Sequence, residues 1–390
     1  MRFNTYKLSD LATIKYGKNQ KKVLCENGTV PIYGTGGLMG YASDYLYDKP
    51  SVLIGRKGSI DKVRYVEHPF WTVDTLFYTE VNDTFVIPKF LFYSLSLIDF
   101  LQLNEGTTIP SLRTETLNRL ELRIPELSDQ RKILSVLNII DDKIGLNNRI
   151  NENLLQQAQT ILTAFFVDFS HFGGEVPSDW ELGSLQDIVD FSNGYAFKSK
   201  ELLDAPAQDC YHVFKQGHIN RGGGFNSSGT KSWYPISKCA SLSKYILRKG
   251  DVLMAMTDMK DNVAILGNTA LMTVDNQYIV NQRVGLLRSN GYRSTSYAYI
   301  YLLTNSFDFL KDLRSRANSG VQVNLSSTEI KASPVWIATD EVNKEFNSLT
   351  EPLLSMIMAN DIENQKLANL RDTLLPRLVS GEIDVSELDI

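Results

Sequence analysis

The residues that could do chemistry are few and scattered. Four histidines, His68, His171, His212 and His218, do not cluster along the chain. His212 and His218 fall in a loop-like stretch, where surface positions are expected. Cys25, Cys210 and Cys239 are odd in number and are not spaced as a zinc knuckle or a disulfide framework, which fits a reducing cytoplasm. Asp141 and Asp142 are neighbours in a helical pattern, where adjacent side chains point apart, so a solvated helix face is expected rather than an acid pair. Gly34-Thr35-Gly36-Gly37 lacks the G-x-G-x-x-G spacing and reads as a turn. There is no G-x-x-x-x-G-K-[S/T] loop for nucleotide hydrolysis. There is also no Asn-Pro-Pro-Tyr or Asp-Pro-Pro-Tyr run of the kind an adenine methyltransferase carries. The expectation is a chain with no catalytic residues, no metal site and no cofactor of its own.

The 390 residues suffice for two or three domains, and 43% hydrophobic with 22% charged residues suits a globular chain with a substantial core. The start, Met1-Arg2-Phe3-Asn4-Thr5-Tyr6-Lys7, is not that of a signal peptide. The most apolar run, Phe85 to Leu103, contains Pro88, Lys89 and Asp99 and reads as a buried helix, so no membrane association is expected. A net charge of −5 argues at first against an anionic partner, but its distribution matters more than its sum. Residues 338–390 carry 4 Lys+Arg against 11 Asp+Glu and residues 126–168 carry 4 against 6. The stretches 1–125 (15 against 13) and 169–337 (17 against 15) are slightly basic.

The elements that must position any site emerge from an internal duplication. Tyr6-Lys7-Leu8-Ser9-Asp10-Leu11-Ala12-Thr13-Ile14 matches Trp180-Glu181-Leu182-Gly183-Ser184-Leu185-Gln186-Asp187-Ile188 in pattern. Lys49 to Ile54 matches Lys249 to Met254, Ile98 to Leu101 matches Phe307 to Leu310, and Gly106 to Leu112 echoes Gly320 to Leu325. Each copy ends in a long helical stripe. The first runs through Ile133, Leu137, Ile140, Ile144, Asn147, Asn151, Leu154, Ala158, Ile161 and Phe165. The second runs through Phe346, Leu349, Leu353, Met356, Asn360, Glu363, Leu367, Leu370 and Leu374. Steps of four and three sustained this long predict a coiled coil. Two lobe-plus-helix units burying matching stripes imply a two-fold relation and antiparallel helices of about 50 Å at 1.5 Å per residue. Asn147, Asn151, Asn360 and Glu363 either fix the register of the seam or face water at its edge. Ser128 or Asp129 is expected to cap the first helix and Asp340 the second. Pro352 should kink the second helix or restart it from a Thr350 cap, and Pro376 and Gly381 should stop it.

Several runs then resemble a known family. Ile54-Gly55-Arg56-Lys57-Gly58-Ser59-Ile60 followed by Pro69-Phe70-Trp71, and Trp180 to Leu185 after the linker Gly173 to Asp179, resemble the recognition domains of type I restriction–modification specificity (S) subunits. Ile124-Pro125-Glu126-Leu127-Ser128-Asp129-Gln130 resembles that family's entry into a spacer helix. Leu374-Leu375-Pro376-Arg377-Leu378-Val379-Ser380-Gly381-Glu382-Ile383 resembles its C-terminal ending. The second lobe departs from it, with Met256-Thr257-Asp258-Met259-Lys260 where the first has Arg-Lys-Gly. The resemblance implies an α+β chain: two structurally similar target-recognition domains separated by an antiparallel two-helix coiled coil, with a pseudo-two-fold internal repeat. The boundaries would be 1–124 for the first recognition domain, 125–170 for the first spacer helix, 171–337 for the second recognition domain, and 338–390 for the second spacer helix and tail.

The resemblance further implies a cytoplasmic DNA reader of a bipartite, asymmetric site. Two methyltransferase subunits and the restriction/translocase subunits would be its partners, and S-adenosylmethionine, ATP and Mg would belong to those partners. Candidate DNA contacts in the first lobe are Lys18, Asn19, Gln20, Lys21 and Lys22, then Arg56, Lys57 and Ser59, then Thr107 and Thr108. In the second they are Asn193, Tyr195, Lys198, Lys215, Gln216, Arg221, Lys260, Gln322 and Asn324. Lys and Arg suit phosphates, and Arg, Lys, amide and hydroxyl groups suit base edges. Tyr16, Tyr33, Trp71 and Trp233 are expected in the core. Two rival readings stand beside this one: the DNA reader of another class of bipartite-site restriction enzyme, or a coiled-coil scaffold with two protein- or sugar-binding lobes.

Overall fold

The computed structural model describes residues 1–259, 263–319 and 322–388. It divides into two compact units, Met1–Ile144 with Leu367–Ile390, and Gly145–Lys366. The fold class is α+β, and the two lobes repeat one topology.

In the first unit, β1 (Phe3–Lys7) leads through the short α1 (Leu8–Leu11) into β2 (Ala12–Tyr16). The strands β3 (Val30–Gly34), β4 (Gly37–Ala42), β5 (Ser51–Gly55), β6 (Val63–Val66), β7 (Trp71–Thr72) and β8 (Leu76–Val81) follow. They form a four-stranded sheet of order β2-β8-β5-β6 and a three-stranded one of order β4-β3-β7, the β3–β7 pair being parallel. The helices α2 (Pro88–Ser96) and α3 (Thr114–Asn118) precede β9 (Glu121–Pro125), which pairs antiparallel with β1 and so closes the lobe on its own N-terminus. The next helix, α4, runs from Leu127 to Phe166.

In the second unit, β10 (Glu181–Ser184), α5 (Leu185–Ile188), β11 (Val189–Asn193), β12 (Cys210–Phe214), β13 (Trp233–Pro235), β14 (Val252–Ala255), β15 (Thr257–Met259), β16 (Thr269–Leu271), β17 (Tyr278–Val280) and β18 (Val284–Ser289) repeat the plan. The sheets are β11-β18-β14-β16 and β13-β12-β17, again with one parallel pair, β12–β17. The helices α6 (Tyr297–Thr304) and α7 (Phe307–Ser315), the strands β19 (Asn318–Ser319) and β20 (Gln322–Asn324), and α8 (Ser327–Lys331) lead to β21 (Pro334–Ile337), which pairs with β10. α7 is longer than the short helical turn Phe100–Leu103 at the matching place, and the small β15-β20-β19 sheet extends the edge that the Lys57–Ser111 bridge marks in the first lobe. The last helix, α9, spans Asp340–Ser380.

The helices end differently from the sequence expectation. α4 begins at Leu127, so Ser128 and Asp129 lie inside its first turn, where Asp129 still favours the positive end of the helix. Asp340 is the first residue of α9, and Thr339 Oγ1 accepts from the Val342 N–H at 3.4 Å. Pro352 neither ends nor restarts α9. The proline costs about 3 kcal/mol, but Phe346, Leu354 and Met358 around it are buried, each giving roughly 1.5–3 kcal/mol. Thr350 donates to the Phe346 carbonyl from within the helix and is not a cap. Pro376 is also helical, and the helix stops at Gly381, whose φ of +83° suits only glycine well.

The stripe of α9 is also shifted. Leu349, Met356 and Leu370 are exposed, whereas Phe346, Thr350, Leu354 and Met358, at steps of four, are buried. The reason is that this face completes a lobe core, with Phe165, Phe166, Trp180 and Tyr299, rather than a two-helix seam alone. Between residues 145 and 166 the two helices run antiparallel, joined by polar groups. Asn147 Nδ2 donates to Glu363 Oε2 (2.7 Å) and Asn364 Oδ1 (2.9 Å), and Asn151 donates to Asp361 and accepts from Asn360. Asn147 is only 1% exposed, so these residues pair across the helices instead of facing water. Asp141 is not on a solvated face either. It takes the hydroxyl of Tyr93 and pairs with Arg371 (3.1 Å) and Lys89 (3.7 Å).

Of the two histidines expected at the surface, His218 is interior and His212, on β12, is half-buried. His212 and His218 touch ring to ring (4.8 Å between centroids), and His218 is fully buried beside Phe214, Phe225 and Tyr278. Its Nδ1 accepts the Lys215 N–H at 3.1 Å. Burial, aided by His212, pushes its pKa down to about 4. Below pH 6.5 the unfolded chain takes up a proton that the folded state refuses, so this residue's share of stability is lost between pH 6.5 and about 4. We expect the His218 ring proton resonances to stay fixed from pH 8 to pH 5.5. His218→Phe should remove up to about 3 kcal/mol of acid sensitivity below pH 6.5. Titration of that ring near pH 6.5 would contradict this packing.

Two glycines allow the sheets to close. A Cβ on Gly17 would lie 2.0 Å from the Val73 carbonyl oxygen, and on Gly194 2.1 Å from that of Asn281, the same place in each repeat. Gly36 has nothing within 4 Å. Gly194→Ala should cost about 3 kcal/mol in urea unfolding, and Gly36→Ala should stay within about 0.5 kcal/mol.

Candidate nucleic-acid interface

In the first lobe the site is built where β2 and β5 end. At Gly17 the chain presses against Val73, the Lys18 N–H bonds the Thr72 carbonyl (2.8 Å), and the Trp71 indole donates to the Lys18 carbonyl (2.9 Å). A tight turn follows, with Asn19 Oδ1 taking the Lys21 N–H and the Gln20 carbonyl taking those of Val23 and Leu24. The turn holds the side chains of Lys18, Lys21 and Lys22 in solvent. Asn19 is exposed and Gln20 half-buried.

Arg56 and Lys57 both hang their N–H groups on the Thr75 carbonyl, so the same 72–75 stretch positions both basic groups. The Arg56 guanidinium lies over the Tyr16 ring (5.1 Å) and donates to the Asp74 carbonyl (2.7 Å), which fixes its direction. Asn104 folds the 104–111 loop by accepting from Gly106 and Ser111 and donating to the Gly106 carbonyl. Lys57 bridges to Ser111, which brings that loop, with Thr107 and Thr108 exposed on it, beside the Arg56–Ser59 turn. Among the described residues Lys18, Lys21, Lys22, Arg56 and Lys57 have no carboxylate partner. Tyr16, expected in the core, is 51% exposed here because its ring is the platform under Arg56.

The second lobe brings together a more amide-rich set. Gln216 donates to the Thr257 carbonyl (2.7 Å) and accepts from its hydroxyl (3.0 Å), which ties it to β15. Thr257 pairs with Asn324 and Met259 with Gln322, both exposed on β20. Leu325 N–H bonds Met256 as Leu112 N–H bonds Arg56, so this edge is the counterpart of the first lobe's. Asn193 ends β11 as Tyr16 ends β2 and is exposed.

Other expected residues are placed elsewhere. Tyr195 packs its ring against Phe197 and Tyr245. Lys215 is half-buried, and its N–H is engaged by His218. Lys198 is exposed at the start of a short turn. Arg221 is exposed on a loop whose Asn220, Gly223 and Gly224 line a cavity beside the long helices. Lys260 lies outside the described residues. Asp258, at the place of Gly58, accepts from Ala264, Ile265 and Leu266. Burial alone would raise its pKa, but these backbone donors hold it below the usual range. It shapes a loop.

Sequence reading missed Arg283, exposed beside Met256, whose N–H bonds its carbonyl. It also missed the exposed Leu38, Met39 and Tyr41 of the β3–β4 hairpin, next to the basic turn. The one available signal for Arg283 was its place just before a strand that matches β8.

Among the described residues no helix is long and apolar enough to cross a membrane, and no three His, Cys, Asp or Glu side chains are grouped to hold a metal ion.

The chain is 24% identical over 364 residues to the type I restriction enzyme MjaIX specificity subunit of Methanocaldococcus jannaschii, covering 88% of this chain and 80% of that one. It is 25% identical over 365 residues to the HindI specificity subunit of Haemophilus influenzae, covering 78% and 79%. Its fold matches the crystal structure of the type I restriction-modification S subunit from M. genitalium with a TM-score of 0.58 at 18% identity, over 97% of this chain and 96% of that one. The family model of the type I restriction modification DNA specificity domain matches residues 2–156 and 177–370. With both lobes matched in turn, the chain belongs to the type I restriction-modification DNA specificity family.

Proposed function

We propose that this chain reads a bipartite, asymmetric duplex DNA site, one lobe per half, and docks two methyltransferase subunits, with restriction/translocase subunits joining them. The observation that carries the reading is the edge of the first lobe. Among the described residues, five cations without carboxylate partners stand on the turns that follow β2 and β5, one of them oriented over an exposed tyrosine. Unpaired Lys side chains supply sequence-independent attraction to phosphates. A guanidinium held in direction by a carbonyl and a ring is suited to the edge of a guanine.

The second lobe offers Asn193, Gln322 and Asn324, which suit adenine edges, with Gln216 tied to Thr257 of the same edge and Arg283 and Arg221 for phosphates. Because the two edges differ in chemistry, the two half-sites differ. The chain itself performs no bond-making step in this reading. S-adenosylmethionine, ATP and Mg are used by the partners, and the complex works in the cytoplasm.

Binding to duplex DNA, measured with the methyltransferase partner across a salt series, should fall steeply as salt rises. Lys18→Ala should weaken binding to all sequences alike and reduce the salt slope by about 1. No binding at low salt would favour a protein- or sugar-binding scaffold. Replacing residues 1–124 with the lobe of another family member should change one methylated half-site and leave the other intact, as read by sequencing methylated positions. A change in both halves would refute one lobe per half.

A further inference from the structure

A cavity of about 280 Å³ lies in the 145–366 unit, lined by α4, α9 and the Asn220–Phe225 loop. Leu155 and Phe225 and, from α9, Leu354, Ile357 and Met358 make its apolar wall. Asp361, Glu152, Tyr301 and Thr273 bring polar groups to it. No Lys or Arg is among its lining residues. One oxygen of Asp361 accepts from Asn151 at 2.9 Å. Thr273 is 3% exposed, and its hydroxyl has no hydrogen-bond partner among the described residues. Burial raises the Asp361 pKa to about 6, with the Asn151 hydrogen bond opposing, as expected of a carboxylate that has lost water and gained no cation.

The internal repeat indicates what is missing. Tyr93 and Tyr301 occupy the same place after matching strands: Tyr93 follows the Leu76 start of β8 by the interval that separates Tyr301 from the Val284 start of β18. In the first unit the carboxylate beside that tyrosine, Asp141, is neutralised from within the chain by the Arg371 guanidinium and the Lys89 ammonium. In the second unit Asp361 acts electrostatically on Tyr301, and no lining residue is basic.

We propose that this cavity takes an ammonium or guanidinium on an aliphatic stem, the stem against the apolar wall and the cationic nitrogen between Asp361 and Thr273. Its source is either a small free amine or a basic side chain of a partner polypeptide. The assignment does not depend on DNA reading.

The test uses the full chain at pH 8 and constant ionic strength, with agmatine as the probe, followed by calorimetry and thermal unfolding. Saturable one-to-one binding is expected, with a melting temperature raised by about 3 °C at tenfold excess over the dissociation constant. Binding should be at least ~10-fold weaker in Asp361→Asn, and weaker in the surface variant Glu152→Gln, which leaves the core intact. Competition between agmatine and the methyltransferase subunit would assign the site to a partner's side chain. Equal agmatine binding with and without that subunit would assign it to a free amine. No saturable binding, or binding unchanged in Asp361→Asn, would overturn the proposal.

Discussion

The structure depends on how each long helix buries its apolar stripe. In a folded protein most helical stability comes from packing an amphipathic face rather than from propensity. In the first unit Ile133, Leu134 and Leu137 of α4 join Leu375 and Leu378 of α9 and the lobe residues Leu8, Phe90 and Leu122 in one core. In the second, Phe165 and Phe166 of α4 and Phe346 of α9 join Trp180, Tyr299 and Val335. Helix and lobe therefore share a core within each unit. The short ribbons β1–β9 and β10–β21 reinforce this, because each pairs the strand that enters a lobe with the strand that leaves it for a helix.

Where the apolar contacts thin out, the helices are joined by amides. The Asn147, Asn151, Asn360 and Asn364 network satisfies most of its donors and acceptors internally, and a slip by one turn would leave buried amides unpaired at a cost of about 1–3 kcal/mol each. The network specifies register more than it adds stability, the role polar residues have in coiled-coil seams.

The repeat also shows how one scaffold carries two chemistries. Strand order, the close glycine approach and the Leu112/Leu325 hydrogen bond persist between lobes. The residues on the strand ends do not: Tyr16, Arg56 and Lys57 in one correspond to Asn193, Met256 and Thr257 in the other. Backbone geometry is held by sheet pairing, which tolerates different side chains at these positions: Asn193 is exposed, whereas Met256 is buried in the lobe core.

The sequence alone determined the duplication, the two long helices, the α+β class and the family resemblance. The duplication and the helices rest on periodicity and on repeated runs that survive as linear patterns, and the α+β class is what the family resemblance implies. It also named Arg56 and Lys57 as candidate contacts, since they stand in the run that resembles the family's recognition domains. The tertiary structure decided the rest. Tyr16 faces solvent because its ring lies under the Arg56 guanidinium, and Tyr195 packs against the rings of Phe197 and Tyr245. His218 is interior although its loop composition is polar, because three aromatic rings close over it. Asp141 is neutralised by Arg371, 230 residues away in sequence, while Asp361 is not neutralised by any residue lining its cavity. Burial and ion pairing are sums over neighbours distant in sequence, and no local pattern encodes them.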